Sequence, residues 1–176
     1  MNPMTLVVLA VLALAQPALA QSPYAGMQNR PIKALSDDQA ADLKAGRGMG
    51  LALVAELNGY PGPSHVLVLA DRLELSAEQK NRIQQLFDSM KVEAVPLGAT
   101  LLAQEAALDQ AFASHSITPE SLKSAIDQIG VTQAALRNAH LKYHLQTVQI
   151  LSADQTKRYS SLRGYGSDAP VHRHSH

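Results

Sequence analysis

The chain has 176 residues, of which 46% are hydrophobic, 17% charged and 4% aromatic, and its formal net charge is zero. A neutral chain lacks the basic surplus that drives binding to nucleic acid. It contains no cysteine, which excludes disulfides, thiolate metal sites, iron–sulfur clusters and thiol nucleophiles. The length suits one domain with a real core, and the low aromatic content with many Ala, Leu and Gln favours helices over a β-sandwich.

The first 20 residues have the pattern of a cleavable export signal. An apolar run over 4–15 is followed by the small residues Ala18 and Ala20, which match the side chains that signal peptidase prefers beside its cut. We therefore predict cleavage before Gln21 and a periplasmic product. The alternative is a membrane anchor, for which the run is short because the hydrocarbon core of a bilayer is about 30 Å thick.

The remaining chain is predicted to be all-α, with a loose arm over 21–35, a helical domain over 36–164 and a polar tail over 165–176. Hydroxyl N-caps, turn residues and a helical spacing of apolar residues define the boundaries. The predicted helices cover 36–57, 64–73, 77–113, 119–151 and a final segment from 152 to about 164. Pro96 predicts a kink in the long third helix.

The two long helices are joined by a short turn and are therefore predicted to form an antiparallel hairpin. With its midpoint near residue 116, residue 88 faces residue 144 and residue 79 faces residue 153. This register places the starts of the third helix and of the final segment at the same end of the hairpin.

A short motif occurs at both of those starts. Leu75-Ser76-Ala77-Glu78-Gln79 recurs as Leu151-Ser152-Ala153-Asp154-Gln155. Each copy combines an apolar anchor, a capping hydroxyl, an acid in the first turn and a Gln that returns a hydrogen bond to the cap. Two copies at one end of a helix pair are far more specific than either copy alone.

Through these motifs the sequence resembles the LTxxQ family of small exported helical proteins, which includes Spy- and CpxP-like periplasmic chaperones and ZraP- and CnrX-like metal-binding proteins. Both copies have Ser where the family most often has Thr, and the capping hydroxyl is preserved. The resemblance covers about 64–163. It implies a four-helix antiparallel hairpin of the Spy/CpxP type with a kinked long helix, assembled as a homodimer into a curved cradle.

A pair of histidines on the fourth predicted helix is the main candidate for metal binding. His140 and His144 lie one turn apart on one face, which suits two ligands of a zinc, copper or nickel ion. The hairpin register adds Asp88, Met90 and Glu93 as neighbouring candidates. The alternative is a polar seam in which each imidazole is satisfied by a hydrogen bond.

The tail contains a second group of candidate ligands, His172, His174 and His176. Alternating histidines can capture soft or borderline metals weakly, and the alternative is a solvated tail without a ligand.

The resemblance implies an ATP-independent periplasmic chaperone or envelope-stress protein that holds partly unfolded envelope proteins on its helical cradle. The candidate client-binding residues are Arg47, Met49, Leu51, Arg72 and Met90. The alternative is a periplasmic heavy-metal-binding or metal-sensing protein that uses the helix and tail histidines, and a third interpretation is a module that regulates a membrane-bound sensor.

We do not expect an enzyme or a required cofactor, because no acid/base or nucleophile set converges. The glycine-rich segment 46–50 also lacks the preceding strand and the following Lys-Ser/Thr of a phosphate loop.

Overall fold

The computed structural model describes residues 22–165 and is all-helical over that range, which confirms the predicted fold class. A short 3₁₀ helix at Met27–Asn29 precedes six α-helices. These are α1 (Asp37–Ala45), α2 (Leu53–Glu56), α3 (Pro63–Val68), α4 (Ala77–Ala113), α5 (Pro119–Val148) and α6 (Ala153–Leu162). Across 22–165, none of the helices combines the length and the apolar composition needed to cross a membrane.

Two of the predictions fall outside this range. The export signal over 1–20 and the tail ligands His172, His174 and His176 lie beyond the described residues.

Four helices begin with a reciprocal capping box, as the sequence predicts for three of them. At α1, α4, α5 and α6 the N-cap hydroxyl accepts a hydrogen bond from the backbone three residues on, and the side chain there returns one to the N-cap backbone. The N-caps are Ser36, Ser76, Thr118 and Ser152. Each cap stabilises its helix by about 1 kcal/mol.

The single helix predicted over 36–57 is wrong. The α1 helix ends at Ala45, and Gly46 follows in the left-handed conformation with a φ of 64°. The chain then turns until Leu53, with further positive φ values at Met49 and Gly50. Helical spacing of apolar residues continues through this segment, but its backbone is incompatible with an α-helix.

The other boundaries are closer to prediction. The helix predicted over 77–113 is confirmed as α4, which continues through Pro96 without interruption. The α3 helix is shorter than the predicted 64–73, and α5 ends at Val148 rather than at 151.

Helices α4 and α5 form the predicted antiparallel hairpin. Beyond the end of α5, Gln79 at the start of α4 and Gln155 at the start of α6 exchange side-chain amide hydrogen bonds of 2.8 and 3.1 Å. These residues belong to the two repeated motifs, so the motifs meet directly. The predicted partner of residue 79 was 153, so the register differs by two positions.

Two buried clusters hold the helices together. The first lies where the motifs meet and contains Val66, Leu73, Leu75, Ile83, Leu151 and Tyr159. The second joins α1 to the hairpin and contains Leu43, Ala94, Leu101, Ile129 and Leu136. The stretch of the hairpin between them faces an open cleft instead of a packed core.

Candidate functional site

The cleft has a volume of about 550 Å³ and is bounded by six parts of the chain. They are the glycine-rich loop 46–50 after α1, the α2 region 52–56, the corner 62–65, the α4 segment 87–91, α5 at His140 and His144, and residues 163–165 after α6. The floor comes from the hairpin, and the walls come from α2, the residues after α6 and the two irregular segments.

His140 is buried in this cleft without a hydrogen bond. Its ring is 3% exposed, and within the described residues its Nε2 atom has no hydrogen-bond partner. Burial, and then the nearby charge of His144, lower the pKa of His140 below its usual value, which favours the neutral imidazole. A buried polar atom without a partner costs about 1–3 kcal/mol, so the fold retains an imidazole that destabilises it.

His144 is held in a defined orientation one turn further along α5. Its Nδ1 atom lies 2.7 Å from the carbonyl oxygen of Tyr60. Because a carbonyl oxygen only accepts, Nδ1 carries a proton, and in the neutral form of the ring Nε2 carries the lone pair. A Cβ atom at Gly62 would lie 2.7 Å from both Nε2 and Cε1 of this ring, so glycine at this position allows the backbone of the corner to approach the imidazole closely.

Glu56 forms the wall of the cleft and is the centre of a hydrogen-bond network. Its carboxylate is 5% exposed. The groups around it are the hydroxyls of Tyr159 and Tyr165, the N–H of Gly62, and the side chains of His65 and Arg163. Burial alone would raise its pKa, but hydrogen bonds from His65 and Tyr159 hold the pKa of Glu56 at about 2. Glu56 is therefore ionised and already surrounded by donors.

The structure brings three of the predicted metal ligands together and separates two others. Met90, His140 and His144 all line the cleft. Across residues 22–165, no three His, Asp or Glu side chains converge in an arrangement that would hold a metal ion. The predicted ligands that share the cleft are therefore two imidazoles and a thioether.

The two predicted carboxylate ligands lie elsewhere on the hairpin. Asp88 is exposed and accepts a hydrogen bond of 2.8 Å from Gln84. Glu93 accepts hydrogen bonds from Lys142 at 2.8 Å and from Tyr143 at 2.6 Å. Neither carboxylate lines the cleft.

The predicted client-binding residues do not form one surface. Arg47 and Met49 lie at the mouth of the cleft, and Met49 is 40% exposed. Arg72 is exposed near the motif end of the hairpin, whereas Leu51 packs against the second cluster and Met90 is buried.

Sequence reasoning missed the Glu56 network entirely. Glu56 and Tyr159 are separated by 103 residues, and neither stands in a recognisable motif. Only their contact in the folded chain reveals the pair.

A family model described as heavy-metal resistance matches residues 48–158, more than half of the chain. The match includes the cleft-forming corner, both long helices and both repeated motifs. No curated protein and no solved structure matches the chain.

Proposed function

The chain belongs to the heavy-metal-resistance family, part of the Spy-, CpxP- and ZraP-like group of helical periplasmic proteins, and we propose that it binds a metal ion at His140 and His144. One observation carries the proposal. Both histidines line the cleft, and within the described residues neither Nε2 atom has a hydrogen-bond partner.

The donor set fits a metal ion. Neutral imidazoles are common metal ligands, and a hydrogen bond such as that from His144 to the carbonyl of Tyr60 fixes the ring and its tautomer. Met90 would add a thioether from the facing helix. A metal ion bound at Nε2 of His140 would give this nitrogen the partner that it lacks among the described residues. In a family whose members are typically periplasmic, the protein would sequester metal ions before they reach the cell interior.

Calorimetric titration of the full chain with copper, zinc and nickel ions tests the proposal, with His140→Leu as the main variant. Leu replaces a buried imidazole that lacks a partner, so we expect folding stability to be retained while metal affinity falls by at least about tenfold. His115→Asn is the matched control, because His115 is exposed in the turn after α4 and has a φ of 54° that Asn tolerates. Unchanged affinity in His140→Leu would refute the site.

A second variant, Gly62→Ala, obstructs the proposed ligand nitrogen of His144 and leaves every proposed ligand residue in place. In Gly62→Ala the added Cβ would crowd Nε2 of His144, while the φ of −83° at this position suits Ala. We expect metal affinity to fall by about 10- to 100-fold, as for other changes that misplace a ligand. If Gly62→Ala binds metal as tightly as wild type, His144 does not bind through Nε2.

Client binding is the second candidate function, and a separate observation favours it. The short helices α2 and α3 expose large apolar side chains beside the cleft. They are Leu53, Val54, Leu57 and Val68. Exposed large apolar side chains grouped on neighbouring short helices favour a site of protein interaction, and they suit contact with partly unfolded proteins.

Suppression of aggregation of a chemically denatured client, measured by light scattering at stoichiometric ratios, tests this function. Leu53→Ser/Leu57→Ser should weaken suppression with little cost in stability, because both side chains are exposed. Val131→Ser is the matched control on the exposed face of α5. His140→Leu should leave suppression unchanged, which separates the two functions.

A further inference from the structure

The chemistry of the side chains around the cleft distinguishes between classes of metal ion. Two methionines, Met49 and Met90, line it together with His140 and His144. Thioethers are soft donors that select soft ions, and imidazoles accept both soft and borderline ions. The neutral donors that line the cleft are therefore these two thioethers and the imidazoles of His65, His140 and His144, of which His65 lies 3.4 Å from the carboxylate of Glu56.

The carboxylate that lines the cleft is already engaged by other groups and adds no free oxygen ligand for a metal ion. Among the described residues that line the cleft, Glu56 is the only acid. Its oxygens face the hydroxyls of Tyr159 and Tyr165 and the guanidinium of Arg163. A metal ion would have to displace several of these donors to gain an oxygen ligand.

Positive charge at the cleft also distinguishes monovalent from divalent ions. Three cationic side chains, Arg47, Lys91 and Arg163, line the cleft against the single carboxylate of Glu56. Arg47 is paired with Asp42, but Lys91 has no ion pair among residues 22–165. Because Coulomb repulsion scales with charge, a divalent ion is penalised twice as strongly as a monovalent ion at the same position.

The backbone at Met49 is held in an unusual conformation. Its φ is 43°, in the left-handed region that residues with side chains rarely adopt, and Gly50 follows with a φ of 83°. Strain of this kind persists where the surrounding structure imposes it and is frequent at binding sites. Met49, 40% exposed, and the buried Met90 both line the cleft.

From these observations we infer that the cleft selects a soft monovalent ion, Cu⁺ or Ag⁺, bound by the thioethers of Met49 and Met90 with the imidazoles of His140 and His144. The inference rests on the proposed metal-binding function and narrows it. Zn²⁺ and Ni²⁺ are disfavoured by the lack of free oxygen or thiolate ligands and by the surrounding cations.

The test compares dissociation constants for the full chain. Ag⁺ is titrated in chloride-free nitrate buffer, Cu⁺ is measured anaerobically in competition with bicinchoninate, and Zn²⁺ and Ni²⁺ are titrated by calorimetry. We expect the monovalent ions to bind at least about 100-fold more tightly than the divalent ions. Met90→Leu, which conserves volume, should weaken Ag⁺ binding by about tenfold or more, whereas Met27→Leu, remote from the cleft, should not.

Each titration is repeated with His172, His174 and His176 changed to Asn, which separates binding by the tail from binding in the cleft. If Zn²⁺ or Ni²⁺ binds as tightly as Ag⁺ and depends on His140, the proposed function stands and the selectivity inferred here is wrong. If none of the four ions binds, the proposed function fails as well. If Ag⁺ affinity depends on the tail and not on Met90, the cleft is not its site.

Discussion

The crossing of α1 over α4 provides a sharp test of the fold, because it reverses the usual effect of replacing a helical glycine. Gly98 lies inside α4 directly beneath the end of α1. A Cβ atom at this position would lie 2.2 Å from the carbonyl oxygen of Leu43. The obstacle is backbone, which cannot rotate away as a flexible side chain does.

The magnitude follows from that distance. To reach even 3.0 Å, α1 must retreat by about 0.8 Å, and this motion opens the second cluster at Leu43. Overpacking of this kind costs about 1–3 kcal/mol, which exceeds the gain of up to about 1 kcal/mol from the better helix propensity of Ala. We therefore expect Gly98→Ala to lower the free energy of unfolding by about 1–2 kcal/mol.

Urea denaturation followed by circular dichroism measures the effect, and Gly130→Ala is the matched control. Gly130 lies in the interior of α5 with nothing within 4 Å of the position of a Cβ atom, so its replacement should stabilise the protein by about 0.5–1 kcal/mol. If Gly98→Ala is stabilised as much as Gly130→Ala, then α1 does not pack on α4 at this point and the position of the 46–50 loop is wrong.

Three further predictions concern the two hydrogen-bond networks. Tyr159→Phe removes the hydroxyl that donates to Glu56 and should cost about 1–3 kcal/mol in the same urea assay; no loss would contradict the contact. The low pKa of Glu56, about 2 against an ordinary 4.5, means that its stabilisation is complete above pH 4.5 and is lost as the pH falls through 2. The difference in unfolding free energy between wild type and Glu56→Gln should therefore shrink by roughly 3 kcal/mol from pH 5 to pH 2, and a constant difference would refute it. Gln79→Ala and Gln155→Ala should be non-additive by about 1 kcal/mol in a double-mutant cycle, because each removes the same amide pair.

The parts of the fold that could be predicted from the sequence are those with local causes. The capping boxes at Ser36, Ser76 and Ser152 lie within four residues of chain, so the hydroxyl and its returning Gln are visible in the sequence. The long α4 helix follows from an uninterrupted helical spacing of apolar residues. The pair His140 and His144 was found for the same reason, since a separation of four residues places both on one face.

What could not be predicted depends on contacts between distant segments or on backbone conformation. The segment 46–50 continues a helical pattern of apolar residues, and nothing in its composition requires Met49 to adopt a positive φ. The separation of Glu93 from the imidazoles follows from a small shift in register, which pairs Glu93 with Tyr143. That register depends on contacts between residues about 50 positions apart in the chain, which local spacing does not encode.

The cleft is open because the elements that stabilise the protein are placed on either side of it. The exchanged amides of Gln79 and Gln155 fix the hairpin at the motif end, and the close approach of Gly98 to Leu43 fixes α1 further along. With both ends held, the intervening stretch can leave the imidazole of His140 unpaired at a cost that the two clusters absorb. A binding site is preorganised when rigid surrounding structure holds its ligands in place before the ion binds. Here the two clusters are the rigid surroundings, and the imidazole of His140 is the group that they hold without a hydrogen-bond partner. Replacing this imidazole with an apolar side chain, as in His140→Leu, should therefore leave the protein folded while removing one of the two nitrogen ligands proposed for the metal ion.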